Sequence, residues 1–145
     1  MARVARGYWL IKSEPFKYSW DQFVKDGSTY WDGVRNAQAR NNLQAMKNGD
    51  LVLYYHSGEG KEVVGVARVT GESYPDPTTK DERWVVVDVK PVVAVVEPVS
   101  LAQIKADPAL KHISLVRQSR LSVCPLDRRG FQRILTLGKT VIPRS

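Results

Sequence analysis

The sequence predicts an α+β protein whose sheet is antiparallel or mixed. Strand-like stretches between residues 51 and 96 follow one another through turns, without helices between them. Ser-x-x-Gln capping boxes at Ser19 and Ser100 open short helices on either side of these stretches. A regular alternation of strand and helix, which would indicate a parallel sheet, is missing from the pattern. The spacing of the strands favours a sheet that curls toward a small barrel.

Local patterns justify the elements of the first half in chain order. Tyr8 to Lys12 is short and apolar, which is typical of a buried strand. The capping box at Ser19 begins a helix that Gly27 closes, because glycine adopts the left-handed conformation common after helices. Asn36 to Met46 has apolar residues at helical spacing and predicts a second helix.

The second half continues with strands and ends with helices. Leu51 to His56 and Glu62 to Thr70 flank a Gly-Glu-Gly turn and should pair as a hairpin. Arg83 to Val96 is the longest β-branched stretch, and its Pro91 predicts an edge, a bend or a change of sheet. Ile113 to Val123 is ambiguous and could contribute a last strand. Two further helices are predicted, one from Ser100 to about Asp107 and one from Asp127 to Leu137, which Gly138 closes.

Length and composition predict one domain over residues 1–145, with a core of about residues 8–138. A chain of 145 residues, of which 43% are apolar, can bury a substantial core. Its longest apolar run is too short for a membrane span or a signal peptide. The single cysteine, Cys124, excludes an internal disulfide, and with His56 and His112 it cannot form a standard structural zinc site. We therefore expect no metal, no cofactor and no membrane partner. We also expect a cytoplasmic location, with association to the nucleoid if the protein is bacterial, and a nuclear location if it is eukaryotic.

The net charge of +7 comes entirely from the C-terminal part of the chain. Residues 1–110 hold fourteen basic and fourteen acidic residues, whereas the last 35 hold eight basic residues and only Asp127 as an acid. Such a patch either binds a polyanion or is a solvated surface that aids solubility. Arginines predominate, which favours phosphate contacts. The eight are Lys111, Arg117, Arg120, Arg128, Arg129, Arg133, Lys139 and Arg144.

The segment from Trp31 to Leu43 carries the strongest functional pattern. It sets an aromatic ring, two arginines and several side-chain amides around a glycine turn. Such a set suits a pocket for a planar polar ligand such as a base. The alternative is a helix entry in which Trp31 plugs the core and Asn36 is the N-cap. Arg35 and Arg40 lie about 140° apart on an ideal helix and need not converge on one ligand, and we favour Arg35 for phosphate or base contact.

Several motifs together resemble the EVE domain, a member of the PUA-like superfamily, over about residues 9–138. The motifs are Trp9-Leu-Ile-Lys-Ser-Glu-Pro15, Trp31-Asp-Gly-Val-Arg-Asn36 with Ala39-Arg-Asn41, Gly49-Asp50 with Tyr54-Tyr-His-Ser57, Val64-Gly-Val-Ala-Arg-Val69, Tyr74-Pro-Asp76 and Gln118-Ser-Arg-Leu-Ser-Val123. The resemblance implies a PUA-like curled sheet or small barrel of five to six strands with peripheral helices. It also implies a pocket for a modified base.

EVE domains are similar in architecture to YTH domains, which read N6-methyladenine in RNA with an aromatic cage. That similarity implies a stacking role for Trp31 and a hydrogen-bonding role for Ser13, while Tyr74 stands where another cage tryptophan is expected. From strand alternation, Tyr55 and Ser57 share a face, so Tyr55 either lines the pocket or packs in the core. The ligand-binding candidates are Ser13, Trp31, Arg35, Asn36, Tyr55, Ser57 and Tyr74. The candidates for nucleic-acid backbone contacts are Lys12, Arg117, Arg120, Arg128, Arg129 and Arg133.

These observations predict a non-catalytic protein that binds a methylated or hydroxymethylated base in DNA or RNA. A general PUA-like RNA-binding module and an enzyme acting on a nucleotide-like small molecule are the alternatives. Catalysis has little support, since Cys124 lies in an apolar setting that is typical of an inert thiol. Trp9, Trp20 and Trp84 are expected in the core. A monomer is favoured, and the choice between DNA and RNA is left open.

Overall fold

The computed structural model describes residues 7–58 and 60–143, which form six strands and five α-helices. The strands are β1 (Tyr8–Ser13), β2 (Thr29–Tyr30), β3 (Leu51–His56), β4 (Glu62–Pro75), β5 (Val85–Ser100) and β6 (Val123–Leu126). The helices are α1 (Trp20–Asp26), α2 (Ala37–Ala45), α3 (Leu101–Ala106), α4 (Ser114–Arg117) and α5 (Arg128–Leu137), with a 3-10 turn at Pro108–Leu110. The predicted α+β class is confirmed.

All six strands belong to one mixed sheet in the order β2-β5-β4-β3-β1-β6. Strands β1 and β3 are parallel, and the other neighbouring pairs are antiparallel. Among the described residues the two edge strands, β2 and β6, do not pair with each other, so the ladder is open and is not a closed barrel. The edge strands have only two and four residues, which is too short to complete a ring of hydrogen bonds.

The two long strands, β4 and β5, are bent by several irregularities in their pairing. Pro91 lies opposite Ala67 at one of these register shifts, which confirms the bend predicted at the proline. Strand β4 extends well beyond the predicted end at Thr70, and Tyr74 pairs with Val86. Tyr74 is therefore part of the sheet, whereas the sequence had suggested a loop, because β5 supplies partners that a local pattern does not reveal.

The predicted helix starts are confirmed. Ser19 Oγ accepts a hydrogen bond from the backbone N–H of Gln22, and Gly27 ends α1 with a φ of 77°. Asn36 caps α2, since its Oδ1 accepts from Ala39 N at 2.9 Å. Ser100 forms both halves of its capping box. The ambiguous segment after residue 113 divides into α4 and the approach to β6.

The core is built on aromatic packing around Tyr54, which is fully buried in β3. Phe23 of α1 stacks on its ring at 5.4 Å, and Trp20 meets it edge-on at 5.4 Å. Trp20 lies directly over Gly65 of β4, where a β-carbon would come within 2.4 Å of the indole. Trp9 is also buried and donates its indole N–H to the buried carboxylate of Asp50 at 2.9 Å.

Candidate nucleic-acid interface

A cavity of about 770 Å³ opens at the sheet edge where β1 and β3 end. Because parallel strands end at the same edge, the register brings the residues after Ser13 and His56 together. Strand β6 is antiparallel to β1, so the residues before Val123 reach the same edge. The lining residues are Lys12, Ser13, Glu14, Lys17, Tyr18, Thr29, Tyr30, Trp31, Asp32, Gly33, Val34, Ser57, Ser119, Arg120 and Ser122.

Hydrogen bonds fix the loop that follows β1 at the cavity. Ser13 Oγ donates to the carbonyl of Tyr18 at 2.8 Å, and the hydroxyl of Tyr54 donates to the same carbonyl at 2.7 Å. The backbone N–H of Ser57 donates to the carbonyl of Ser13 at 2.9 Å. Burial raises the pKa of Tyr54, so this hydroxyl keeps its proton and stays a donor. These hydrogen bonds thus hold the loop at both of its ends.

The aromatic lining consists of Trp31 together with two tyrosines that the sequence reasoning did not select. Trp31 is 9% exposed, and its ring meets Tyr54 edge-on at 5.5 Å and Tyr18 at 6.2 Å. Trp31 therefore packs in the core, as one alternative predicted, and it also lines the cavity. Tyr18 is half-buried and Tyr30 is 42% exposed. Their positions, five residues after Ser13 and directly before Trp31, were the available signals.

Cations surround the cavity on the side of β1 and β6. Lys12 Nζ donates to the carbonyl of Ser119 at 2.8 Å, and burial lowers the pKa of this ammonium group. Arg120 is exposed and belongs to the same loop before β6. Lys17 lies 3.6 Å from Glu14 in an exposed ion pair. These groups give the cavity mouth a positive side where an anionic ligand would be attracted.

The opposite wall of the cavity is held by a buried carboxylate. Asp76 accepts from Gly33 N at 3.4 Å and from Arg35 Nη1 at 3.0 Å. It also accepts from the backbone N–H of Thr78 at 2.7 Å. Burial raises the pKa of Asp76, but the hydrogen bonds from Thr78, Arg35 and Gly33 outweigh burial and lower it. Asp76 thus connects the loop after β4 to the turn that carries Gly33 and Val34.

Four of the seven ligand-binding candidates do not line the cavity. Arg35 faces Asp76, and Asn36 acts as the N-cap of α2. Tyr55 is 3% exposed and packs in the core, with Lys12 Nζ 6.0 Å from its ring centre. Tyr74 donates its hydroxyl to Asp88 at 2.6 Å, which raises its pKa to about 12. Ser13, Trp31 and Ser57 are the candidates that the fold brings together at the cavity.

The C-terminal arginines are divided between the two ends of β6. Arg117 and Arg120 precede β6 and lie in the segment that reaches the cavity edge. Arg128 and Arg129 follow the other end of β6, where Leu126 pairs with Tyr8. That end lies about 10 Å along the strand from Val123, at a rise of about 3.3 Å per residue. Arg133 pairs with Asp107 at 2.5 Å, Lys139 pairs with Glu97 at 3.2 Å, and Arg144 lies outside the described residues.

Three further properties of the described residues concern metal binding, membrane spanning and the single thiol. Within residues 7–58 and 60–143, no three His, Cys, Asp or Glu side chains are grouped so that they could hold a metal ion. No helix in this part of the chain has the length and apolar character needed to span a membrane. Burial raises the pKa of Cys124 to about 11, so this thiol stays protonated at neutral pH.

The sequence pattern of the EVE domain family matches residues 7–137. This chain belongs to the EVE domain family. An X-ray structure of an Agrobacterium tumefaciens protein is 46% identical, with a TM-score of 0.89, and the match covers 91% of this chain and 92% of that one. A crystal structure of human THYN1 in complex with DNA containing 5-methylcytosine is 31% identical, with a TM-score of 0.86, over 94% of this chain and 99% of that one.

The likeness to YTH domains holds at the level of the fold. The YTH domain of the Zygosaccharomyces rouxii MRB1 protein, solved with N6-methyladenosine RNA, is 17% identical, with a TM-score of 0.61. That match covers 97% of this EVE chain and 92% of the YTH chain. The predicted PUA-like architecture is confirmed by the match to the human THYN1 structure.

Proposed function

We propose that this EVE protein binds a modified base of DNA or RNA in the cavity at the end of β1, without chemical conversion. The observation that carries the proposal is the cavity itself, which joins an indole, two phenols and three basic side chains at one sheet edge. The human THYN1 structure with 5-methylcytosine DNA supports it, because that relative matches nearly the whole chain. The volume of about 770 Å³ leaves room for a base and part of its sugar-phosphate.

Stacking supplies the energy for taking a base out of a duplex. Extrusion costs a few kcal/mol, and stacking on an aromatic side chain returns about 1–3 kcal/mol per base. In this proposal Trp31 provides the deep stacking surface, and Tyr30 extends it toward solvent. Ser13 and Ser57 stand beside the ring, where hydroxyl groups can bond to the edge of a base.

Charge supplies affinity that does not depend on the base. Lys12 and Arg120 line the cavity, and Arg117 lies three residues before Arg120. We propose these three for contacts to the nucleic-acid backbone. Arg128, Arg129 and Arg133, the other candidates from the sequence, follow β6 at the end away from the cavity, so we propose no backbone contact for them.

A binding role agrees better with the hydrogen bonds than a catalytic role does. The hydroxyl of Ser13 donates to a main-chain carbonyl, so it is not activated by a base. The ammonium group of Lys12 likewise donates to a carbonyl. We propose that both groups contact the ligand.

Fluorescence polarisation tests the proposal with matched DNA and RNA oligonucleotides that differ only in one base. The modified bases are 5-methylcytosine, 5-hydroxymethylcytosine and N6-methyladenine. We expect the protein to prefer one modified base over its plain form. Trp31→Ala should lose this preference, with an affinity loss for the modified ligand of about 5- to 150-fold, the equivalent of 1–3 kcal/mol of stacking.

The controls separate stacking from folding. Trp31 is mostly buried, so circular dichroism must show that Trp31→Ala is folded. Tyr30→Ala removes an exposed lining ring at little cost to the core, and should lower the preference in part. Equal weakening of modified and plain ligands in a folded Trp31→Ala protein would remove Trp31 from the site. Uniform binding by the unmutated protein would instead indicate a general RNA- or DNA-binding module.

A further inference from the structure

Three guanidinium groups gather around the ring of Trp84, on the far side of Asp76 from the cavity. The central carbons of Arg35 and Arg40 lie 5.7 Å from the ring centre, and that of Arg83 lies 5.5 Å from it. They come from three segments, namely the turn before α2, α2 itself and the approach to β5. We call these four residues the Arg–Trp cluster. The sequence had indicated that Arg35 and Arg40 need not converge and that Trp84 is a core residue, but Trp84 is half-buried and both arginines face it.

Carboxylates pair with two of the three guanidinium groups of the cluster and leave the third without an acidic partner among the described residues. Asp76 pairs with Arg35 at 3.0 Å, and Asp81 pairs with Arg83 at 2.7 Å. Arg40 has no carboxylate within 4.0 Å among the described residues, and its side chain bonds only to the neutral amide of Asn41, at 3.1 and 3.3 Å. One guanidinium therefore stays available for an external anion, beside two others that water can reach.

The indole explains how the guanidinium groups are held. A guanidinium over an aromatic face gains cation–π attraction, which orders a side chain that would otherwise be mobile. An ordered guanidinium presents its donors as a flat fork that matches two oxygens of a phosphate.

The cluster is joined directly to the wall of the cavity. Asp76 bonds both to Arg35 and to the backbone of Gly33, and Gly33 lines the cavity. Lys12 and Arg120 belong to the opposite side, which is formed by β1 and the loop before β6. The cluster is therefore linked through Asp76 to the cavity wall that carries Gly33, and Lys12 and Arg120 line the cavity itself.

We propose that the Arg–Trp cluster binds the phosphodiester backbone of the strand that flanks the inserted base. The inference rests on the proposed function, because the cavity decides where that strand runs. The strand crosses the mouth from Arg120 to the cluster, and Arg40 and Arg83 each contact one phosphate. Such contacts contribute to affinity equally for modified and plain bases.

The salt dependence of binding tests this surface. Each phosphate contact contributes about 0.9 to the slope of log K against log salt for duplex DNA, and about 0.7 for a single strand. The double variant Arg40→Gln with Arg83→Gln should lower the slope by about 1.8 or 1.4. At 0.1 M salt this corresponds to an affinity loss of about 60-fold or 25-fold, by the same slopes. The ratio of modified to plain affinity should not change.

The matched control is Arg128→Gln with Arg129→Gln, which removes the same charge from two exposed arginines at the other end of β6. We expect its slope to stay near that of the unmutated protein. An unchanged slope in a folded cluster variant, or an equal fall in both double variants, would overturn the inference. If the unmutated protein shows no base preference while the slopes of the two double variants still differ, only the cavity proposal is contradicted. Absence of any nucleic-acid binding would overturn both.

Discussion

Asp76→Asn should destabilise the protein at neutral pH, because asparagine cannot replace a carboxylate that accepts from four donors. The Asp76 side chain is fully buried. One oxygen accepts from the N–H and the hydroxyl of Thr78, at 2.7 and 2.5 Å, and the other accepts from Gly33 and Arg35. Asparagine has one acceptor oxygen, and in either orientation its NH₂ group faces at least one backbone N–H.

The magnitude follows from the bonds that are lost. A hydrogen bond to a charged group contributes about 1.5–3 kcal/mol, and a buried donor left without a partner costs a similar amount. Arg35 is 41% exposed, so water replaces part of what its guanidinium loses. We therefore expect the free energy of unfolding to fall by about 2–3 kcal/mol. Urea denaturation at pH 7, followed by circular dichroism, measures this difference.

The pH dependence checks that the charge of Asp76 is responsible. The folded protein lowers the pKa of Asp76, so its contribution is present above the unfolded value of about 3.9 and is lost as the pH falls through the folded pKa. The difference between Asp76→Asn and the unmutated protein should narrow below about pH 4. Asp81→Asn is the control, because its partner Arg83 is 71% exposed and the change should be smaller. A difference that stays constant down to pH 2, or equal losses in both variants, would refute the reasoning.

Three other properties follow from the described contacts. His56 Nε2 accepts from the backbone N–H of Trp20 at 3.1 Å, and burial lowers the pKa of His56. The contribution of this hydrogen bond to stability should therefore be lost as the pH falls below about 6.5. Urea titrations should show a smaller loss of stability over this pH range in His56→Gln. Gly65→Ala should lower stability by about 1–3 kcal/mol in thermal melts, since the added carbon meets Trp20, and an unchanged melt would show that the indole can move. Cys124 is buried with its pKa raised to about 11, so a thiol reagent at pH 8 should label it quickly only in denaturant; fast labelling of the native protein would contradict this.

Much of the fold follows from local signals. The first backbone N–H groups of a helix need acceptors, and side-chain oxygens supply them at Ser19, Asn36 and Ser100. Such a residue marks a helix start without any tertiary information. The hairpin of β3 and β4 and the bend at Pro91 are local in the same sense. The end of β4 could not be predicted, because residues 71–75 become a strand only through pairing with β5.

For the candidate site, the sequence selected some of the residues that line the cavity and missed others. Ser13 and Trp31 were selected by their sequence motifs, and both line the cavity, although their role in binding stays a prediction. Tyr18 and Tyr30 were not selected, since nothing in a tyrosine's neighbours along the chain states which way its ring points. Their place at the cavity depends on the loop after β1 and on the pairing of β2 with β5.

The sequence by itself determined the class of the fold, most helix boundaries, the charge asymmetry and the family resemblance, since these depend on residue type and spacing along one segment. The tertiary structure decided which charges act together. Strand β6 separates Arg120 from Arg128, although both belong to one basic stretch of sequence. The ring of Trp84 brings Arg35 and Arg40 next to Arg83, its own neighbour in the chain, although the first two arginines belong to a distant segment of the sequence. Electrostatic and stacking interactions depend on distance in space, and that distance is set by sheet register, which no local pattern encodes.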